Sequence, residues 1–163
     1  MIDAETRALA TQVLDTYRAR RWKLATAESC TGGLVAGALT EIAGSSDVVD
    51  RGFVTYSNEA KAEMLGVPEA TLMEYGAVSR PTAEAMAKGT ITRSSVDATV
   101  AITGIAGPGG GSADKPVGLV HFAAAARDGR LVHREKRYGD IGRSEIRRLS
   151  VIEALNMLLE LAA

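Results

Sequence analysis

The sequence is poor in the side chains that most often bind metals or form disulfides. It contains one cysteine, Cys30, and two histidines, His121 and His133, among 163 residues. A single cysteine excludes an internal disulfide and is typical of a protein from a reducing compartment. Neither an H-E-x-x-H motif nor a cluster of cysteines and histidines is present, so the sequence predicts no metal site. We therefore expect a cytoplasmic protein that uses no cofactor.

Strong charge and long apolar runs are also missing. The formal net charge is −1, which provides no overall attraction to nucleic acid or to an anionic membrane surface. No apolar run approaches the length of a membrane-spanning helix, and the first residues lack the apolar segment of a signal peptide. We therefore expect neither a nucleic-acid partner nor a membrane partner.

Predicted strands and helices alternate along the chain. Helical spacing predicts a first helix over roughly 3–20, a second that ends at Gly44 and a closing C-terminal helix. Strands are predicted in WKLATAE, RGFVTYSN, VDATVAITG, VGLVHFAAAA and RLVHREKRY, the last two joined by a hairpin turn at Asp128-Gly129. Charges on both faces of the last strand are typical of a sheet edge. The sequence predicts one domain over 1–163, a three-layer α/β/α fold with a mixed, mostly parallel sheet and one C-terminal β-hairpin.

The stretch AESCTGG, residues 27–33, lies where a predicted buried strand turns into a helix. In open α/β sheets, ligands bind just outside the carboxyl ends of the strands, where the N–H groups of a helix favour negative charge. A serine there, Ser29, can act as a nucleophile while the amides of Thr31, Gly32 and Gly33 stabilise an oxyanion. Capping of the helix by Ser29 or Thr31 explains the stretch equally well, and Cys30 is either a second candidate nucleophile or apolar filling.

A serine nucleophile needs a group that takes its proton. His121 and His133 lie in the predicted hairpin strands, far from Ser29 in sequence, and a structural role is favoured for each. Lys61 falls one turn into the helix after YSN, where the positive end of the helix dipole lowers its pKa. Tyr56 ends the preceding predicted strand, which we expect to run parallel to the first strand and near it. A partly neutral lysine acts as general base in Ser-Lys hydrolases, and the alternative is a solvated lysine paired with a glutamate of its own helix.

Two further stretches suggest a site for a phosphorylated ligand. The loop TGIAGPGGGSADKPVG follows the predicted central strand, and its glycines let backbone amides approach a phosphate or a ring closely. It is neither a Walker loop nor a Rossmann fingerprint, and a flexible surface loop is the alternative. The stretch GDIGRSEIRRLS places Arg143 and two more arginines at a predicted helix start, where Arg143 either reaches a ligand phosphate or belongs to a solvated face.

Taken together, the chain resembles the C-terminal domain of the CinA proteins, a family that includes stand-alone nicotinamide-mononucleotide deamidases. The resemblance covers nearly the whole chain and is carried by four stretches in the family's order: AESCTGG, GSSDVVDRGFVTYSNEAK, GAVS and TGIAGPGGGSADKPVGLVHFA. It implies hydrolysis of the carboxamide of nicotinamide mononucleotide to nicotinate mononucleotide and ammonia.

The resemblance also implies roles for single residues. Ser29 corresponds to the family's nucleophile, and Tyr56 and Lys61 correspond to its proton-handling pair. Arg143 is expected to pair with the ligand phosphate. The nucleotide site is expected to be lined by the glycine-rich loop, through Thr103, Gly104, Gly107 and Gly109.

Two other functions remain open at this point. A non-catalytic nucleotide-binding module that serves competence or the DNA-damage response through a partner explains the glycine loop and the arginines equally well. A cysteine amidase that uses Cys30 is the other alternative. The charged edge strand and the apolar helix faces also allow a homodimer.

Overall fold

The computed structural model describes residues 2–163 as helices on both faces of one twisted sheet. The helices are α1 Ala4–Arg20, α2 Leu34–Thr40, α3 Asn58–Leu65, α4 Glu69–Tyr75, α5 Arg80–Thr92 and α6 Arg143–Leu161, with a short 3-10 turn at Ser45–Asp47. The strands are β1 Leu24–Glu28, β2 Val49–Val54, β3 Ala98–Gly104, β4 Leu119–Ala126 and β5 Leu131–Arg137.

The strand order is β2-β1-β3-β4-β5. Strand β1 pairs in parallel with β2 and β3, whereas β4 pairs antiparallel with β3 and β5. Four of the five strands therefore point the same way, and β4–β5 forms the C-terminal hairpin. The predicted fold class is confirmed, and β5 is an edge strand as its charges predict.

Two apolar layers hold the sheet between the helices. Side chains from β3 and β4 such as Val100, Ile102 and Phe122 pack with α1, α2 and α6 in the larger core. Alanines on the opposite face, including Ala101 and Ala123, pack against α5. Because these side chains are small, α5 lies close to the sheet, and α3 and α4 pack beside it. No helix within residues 2–163 combines the length and the apolar character needed to cross a membrane.

Two predicted elements, the second helix and the second strand, end well before the predicted residue. Helix α2 ends at Thr40 and not at Gly44, because after Thr40 the chain tightens into i−3 hydrogen bonds such as that from the Ile42 N–H to the Leu39 carbonyl. Strand β2 ends at Val54, before Tyr56. The reason lies in β1, whose last residue, Glu28, accepts the Thr55 N–H at 2.9 Å and leaves no further strand for β2 to pair with.

Candidate active site

A tight turn over residues 29–33, the serine turn, joins β1 to α2. The Ser29 N–H donates to the Ile102 carbonyl of β3 at 2.9 Å, so the turn starts while the chain is still held by the sheet. The Gly32 N–H then donates to the Ser29 carbonyl at 3.0 Å. Gly32 and Gly33 have φ values of 56° and 101°, which side chains other than that of glycine rarely permit. The glycine pair is therefore required by the shape of the turn.

Glu28 stabilises the serine turn by accepting hydrogen bonds from the start of α2, a role that the sequence analysis missed. Its buried carboxylate accepts the N–H groups of Val35 and Ala36 at 2.9 and 3.0 Å. The N-cap of α2 is Gly33, which has no side chain to cap the helix. Glu28 takes over that function from β1 and thereby ties the first turn of α2 to the strand that carries Ser29. An acid shortly before a helix that lacks a capping side chain is the sequence signal that could have indicated this role.

The structure brings Ser29 and Lys61 together. The Lys61 Nζ lies 3.1 Å from the Ser29 Oγ and donates to the Thr55 carbonyl at 2.9 Å. Only 1% of the Lys61 surface is exposed. Within residues 2–163 no carboxylate pairs with this amine, so the predicted alternative of a solvated ion pair does not hold. Burial lowers the pKa of Lys61, because the charged ammonium loses its hydration.

Local sequence explains why Lys61 of α3 lies next to Ser29. The Ser57 hydroxyl caps the helix by accepting the Ala60 N–H at 3.0 Å, and Gly66 ends it in a left-handed conformation. Because β2 runs parallel to β1, the start of α3 lies beside the end of β1. Lys61 therefore lies in the first turns of α3 and faces the serine turn, in agreement with the sequence-based expectation.

The side chain of Tyr56 lies at the surface, next to Arg143. It is 60% exposed, and its hydroxyl accepts the Arg143 Nη2 at 2.9 Å. Tyr56 approaches Lys61 only through its main-chain carbonyl, at 3.5 Å. The amine reaches the serine directly, without the phenol between them, and the role of Tyr56 in the proton-handling pair stays a prediction. The phenol belongs to the rim of the site.

The serine turn also offers free backbone donors. Within residues 2–163 the N–H groups of Cys30, Thr31 and Gly33 donate to no protein acceptor, whereas the Gly32 N–H is used in closing the turn. The amide of Gly32 is thus unavailable to an oxyanion, contrary to the expectation. Thr31 is fully buried, and within residues 2–163 its hydroxyl has no hydrogen-bond partner.

The glycine-rich loop and the start of α6 form the opposite rim. The Thr103 hydroxyl donates to the Ala77 carbonyl at 2.7 Å, which ties the end of β3 to the loop before α5. Gly104 packs so closely that an added Cβ would lie 2.8 Å from the Val120 side chain, which explains this glycine by packing. The Gly107 carbonyl accepts the Arg143 Nη1 at 2.7 Å. Gly109 has open space around it and borders a groove of about 700 Å³ along the loop.

The three arginines of α6 have different surroundings. Arg143 bridges the Gly107 carbonyl and the Tyr56 hydroxyl, and Arg147 donates through Nε to the Cys30 carbonyl at 3.1 Å. Arg148 instead forms ion pairs with acids of α6 and of the N-terminal segment: Glu145, Asp3 and Glu5. Within residues 2–163, Arg143 and Arg147 therefore have no acidic partner, and such cations favour an anionic ligand.

The histidines contact each other and not the serine. His121 Nδ1 and His133 Nε2 lie 2.9 Å apart on β4 and β5, and Glu135 lies 3.6 Å from the His121 Nε2. Burial lowers the pKa of both imidazoles, so both are neutral at pH 7. Within residues 2–163 no group of three potential metal-binding side chains is found.

Several bacterial proteins resemble this chain in sequence and fold. The chain is 51% identical to the nicotinamide-nucleotide amidohydrolase PncC of Escherichia coli K12, over 97% of this chain and 95% of that protein. It is 54% identical to a CinA-like protein of Synechococcus, but it spans only 37% of that relative's length. The crystal structure of the competence/damage inducible protein CihA from Agrobacterium tumefaciens matches with a TM-score of 0.99 and 58% identity, over 100% of this chain and 99% of that one.

A family match covers almost all of the described fold. The family model of the CinA C-terminal domain matches residues 6–162, a range that includes the serine turn, Lys61, the glycine-rich loop and all of α6. The sequence resemblance is therefore confirmed, and this chain belongs to the CinA C-terminal domain family.

Proposed function

We propose that this chain hydrolyses the carboxamide of nicotinamide mononucleotide to nicotinate mononucleotide and ammonia by acyl transfer through Ser29. The observation that carries the proposal is the contact of 3.1 Å between the Lys61 Nζ and the Ser29 Oγ, with the amine buried and, within residues 2–163, without an acidic partner. The name of the E. coli relative, a nicotinamide-nucleotide amidohydrolase, supports the choice of substrate.

Lys61 acts as the general base in the first step. Burial lowers the pKa of its ammonium, which increases the fraction of neutral amine near pH 7. The neutral Nζ takes the proton of the Ser29 hydroxyl while Oγ forms a bond to the carboxamide carbon. The C=O electron pair moves onto the oxygen, and the free N–H groups of the serine turn stabilise the resulting negative charge.

The same lysine then acts as an acid. Its new proton passes to the amide nitrogen, the C–N bond breaks and ammonia leaves, so that the acyl group remains as an ester on Ser29. A water molecule next gives a proton to the Lys61 amine while its oxygen attacks the ester carbon. The bond from carbon to Oγ breaks, Oγ takes the proton back, and nicotinate mononucleotide is released.

The rim of the site binds the rest of the nucleotide. Arg143 has no acidic partner within residues 2–163, and its guanidinium lies between Tyr56 and Gly107. It would bind the phosphate there, because arginine matches phosphate with paired donors. The exposed ring of Tyr56 offers a π face to the pyridinium cation, and the glycine-rich loop lets the backbone approach the ribose closely.

The buried state of Cys30 disfavours it as the nucleophile. Its side chain is 5% exposed, and burial raises the pKa of its thiol to about 12. A thiol with such a pKa is almost entirely protonated at pH 7 and reacts slowly.

Trapping with hydroxylamine tests the acyl transfer. Hydroxylamine attacks an ester on Ser29 as water does. The proposal therefore predicts that ammonia is released and that the hydroxamate of nicotinate mononucleotide is formed. Substitution Cys30→Ala should leave both products unchanged. Tight binding of nicotinamide mononucleotide in calorimetry without any ammonia release would instead favour a non-catalytic nucleotide-binding module.

A further inference from the structure

Arg147 contacts the serine turn from the side of α6. Its Nε donates to the Cys30 carbonyl at 3.1 Å, and its Nη2 lies 3.5 Å from the Thr31 carbonyl. Within residues 2–163 Arg147 forms no ion pair, although the adjacent Arg148 pairs with three acids. A half-buried guanidinium that is satisfied by main-chain carbonyls thus fixes two successive peptide groups of the turn.

The contact of Arg147 with the Cys30 carbonyl also sets the direction of the Thr31 N–H, because both groups belong to the same planar trans peptide. In a trans peptide the C=O and the following N–H point in opposite directions. Arg147 holds the Cys30 carbonyl toward α6, so the N–H of Thr31 in the same peptide group points away from α6. Lys61 reaches Ser29 from α3, which packs with α5 on the other face of the sheet. The free Thr31 N–H is therefore directed to the side on which the Ser29 Oγ meets Lys61.

We propose that Arg147 is a positioning residue that holds the Thr31 amide ready to stabilise the oxyanion. This role rests on the proposed acyl transfer through Ser29. The positive φ of Gly32 already requires a glycine there, and an added Cβ would in addition lie 3.3 Å from the Arg147 Nη2. Gly32 both permits the turn and leaves room for Arg147.

Arginine suits this task better than lysine. Its planar fork presents several donors in a fixed geometry and stays charged at all relevant pH values, so it can hold two carbonyls at once. A lysine offers a single point of attachment on a flexible chain and would fix one peptide group at most.

The role is tested by steady-state kinetics of Arg147→Met and Arg147→Lys with nicotinamide mononucleotide, with Arg148→Met as the matched control from the next position. Loss of a prearranged oxyanion donor lowers kcat and leaves ground-state binding alone, so Arg147→Met should lower kcat about 10- to 100-fold with KM changed less than about twofold. Arg147→Lys should recover part of kcat, and Arg148→Met should match the wild type. If Arg147→Met is unfolded by thermal denaturation, Arg147→Gln replaces it with the same expected result.

Three results would overturn this role. They are a wild-type kcat in the folded Arg147 variant, an increase in KM at constant kcat, which would mean substrate binding, and an equal loss in Arg148→Met. Absence of turnover by the wild type would overturn the proposed function itself, and with it this role. Failure of the proposed function can be distinguished from failure of the Arg147 role, because the wild type is measured as the reference in every assay.

Discussion

The amine of Lys61 and the hydroxyl of Ser29 lie 3.1 Å apart, at the meeting point of two parallel strand ends. β1 carries the serine into a tight turn, and the chain after β2 carries the lysine into the first turns of α3. Neither histidine contacts either residue. The site thus contains a serine and a buried lysine as its reactive pair, in a chain whose few histidines are used elsewhere.

The activity should depend on the protonation state of Lys61. Because burial lowers the pKa of this lysine, the neutral base becomes more abundant as the pH rises. We expect kcat/KM to increase with pH and to level off above the lowered pKa, which lies below the 10.5 of a solvated lysine. Arginine keeps its proton, so Lys61→Arg should lower kcat/KM at least about a hundredfold at every pH.

The exposed Lys88 of α5 provides the control, and Lys88→Arg should keep the wild-type pH profile. A wild-type profile without pH dependence, or an active Lys61→Arg, would show that another group accepts the proton.

Removal of the Tyr56 hydroxyl should change binding more than catalysis. The hydroxyl contacts Arg143 and not the Ser29–Lys61 pair, so Tyr56→Phe should raise KM about two- to fivefold and change kcat less than about threefold. The half-exposed Tyr75 is a suitable control, since Tyr75→Phe should change neither value. A fall in kcat of two orders of magnitude for Tyr56→Phe in steady-state assays would instead show that the phenol takes part in proton transfer.

Arg143 should be tested with and without the phosphate of the substrate. If its guanidinium binds that phosphate, Arg143→Met should raise KM for nicotinamide mononucleotide about 10- to 100-fold. The KM for nicotinamide riboside, which lacks the phosphate, should be the same in the variant and the wild type. Equal losses with both substrates would mean that Arg143 acts only by holding Tyr56 and Gly107 in place.

Glu28 should contribute strongly to stability. Glu28→Ala removes the acceptor of two N–H groups at the start of α2, and we expect it to reduce the free energy of unfolding by about 2–4 kcal/mol in urea titrations. Glu41, whose pair with Arg7 is largely solvated, is the comparison, and Glu41→Ala should cost less than about 1 kcal/mol. Similar losses in both variants would contradict the capping role of Glu28.

The sequence could predict what depends on local pattern and strand direction. The element order, the hairpin at Asp128-Gly129 and the edge position of β5 follow from apolar spacing, turn residues and charge. Strand direction also indicates that Lys61 can lie near Ser29, because Ser29 follows β1 and Lys61 lies in the helix that follows the parallel strand β2. Spacing alone left a solvated ion pair of Lys61 as the alternative.

What depends on distant partners could not be predicted. The Tyr56 hydroxyl bonds Arg143, which is 87 residues away, so its direction cannot be found from the strand that precedes it. The use of the Gly32 amide to close the turn is a matter of hydrogen-bond geometry. The contact of Arg147 with the Cys30 carbonyl requires knowledge of how α6 packs on the sheet.

Ammonia release by the wild type and by Ser29→Ala, measured with nicotinamide mononucleotide at equal protein concentration, tests the central claim most directly. The account predicts turnover by the wild type and a rate at least about a thousandfold lower in the folded Ser29→Ala variant, since within residues 2–163 no other nucleophile hydrogen-bonds the Lys61 amine. A Ser29→Ala variant that releases ammonia at the wild-type rate would contradict it.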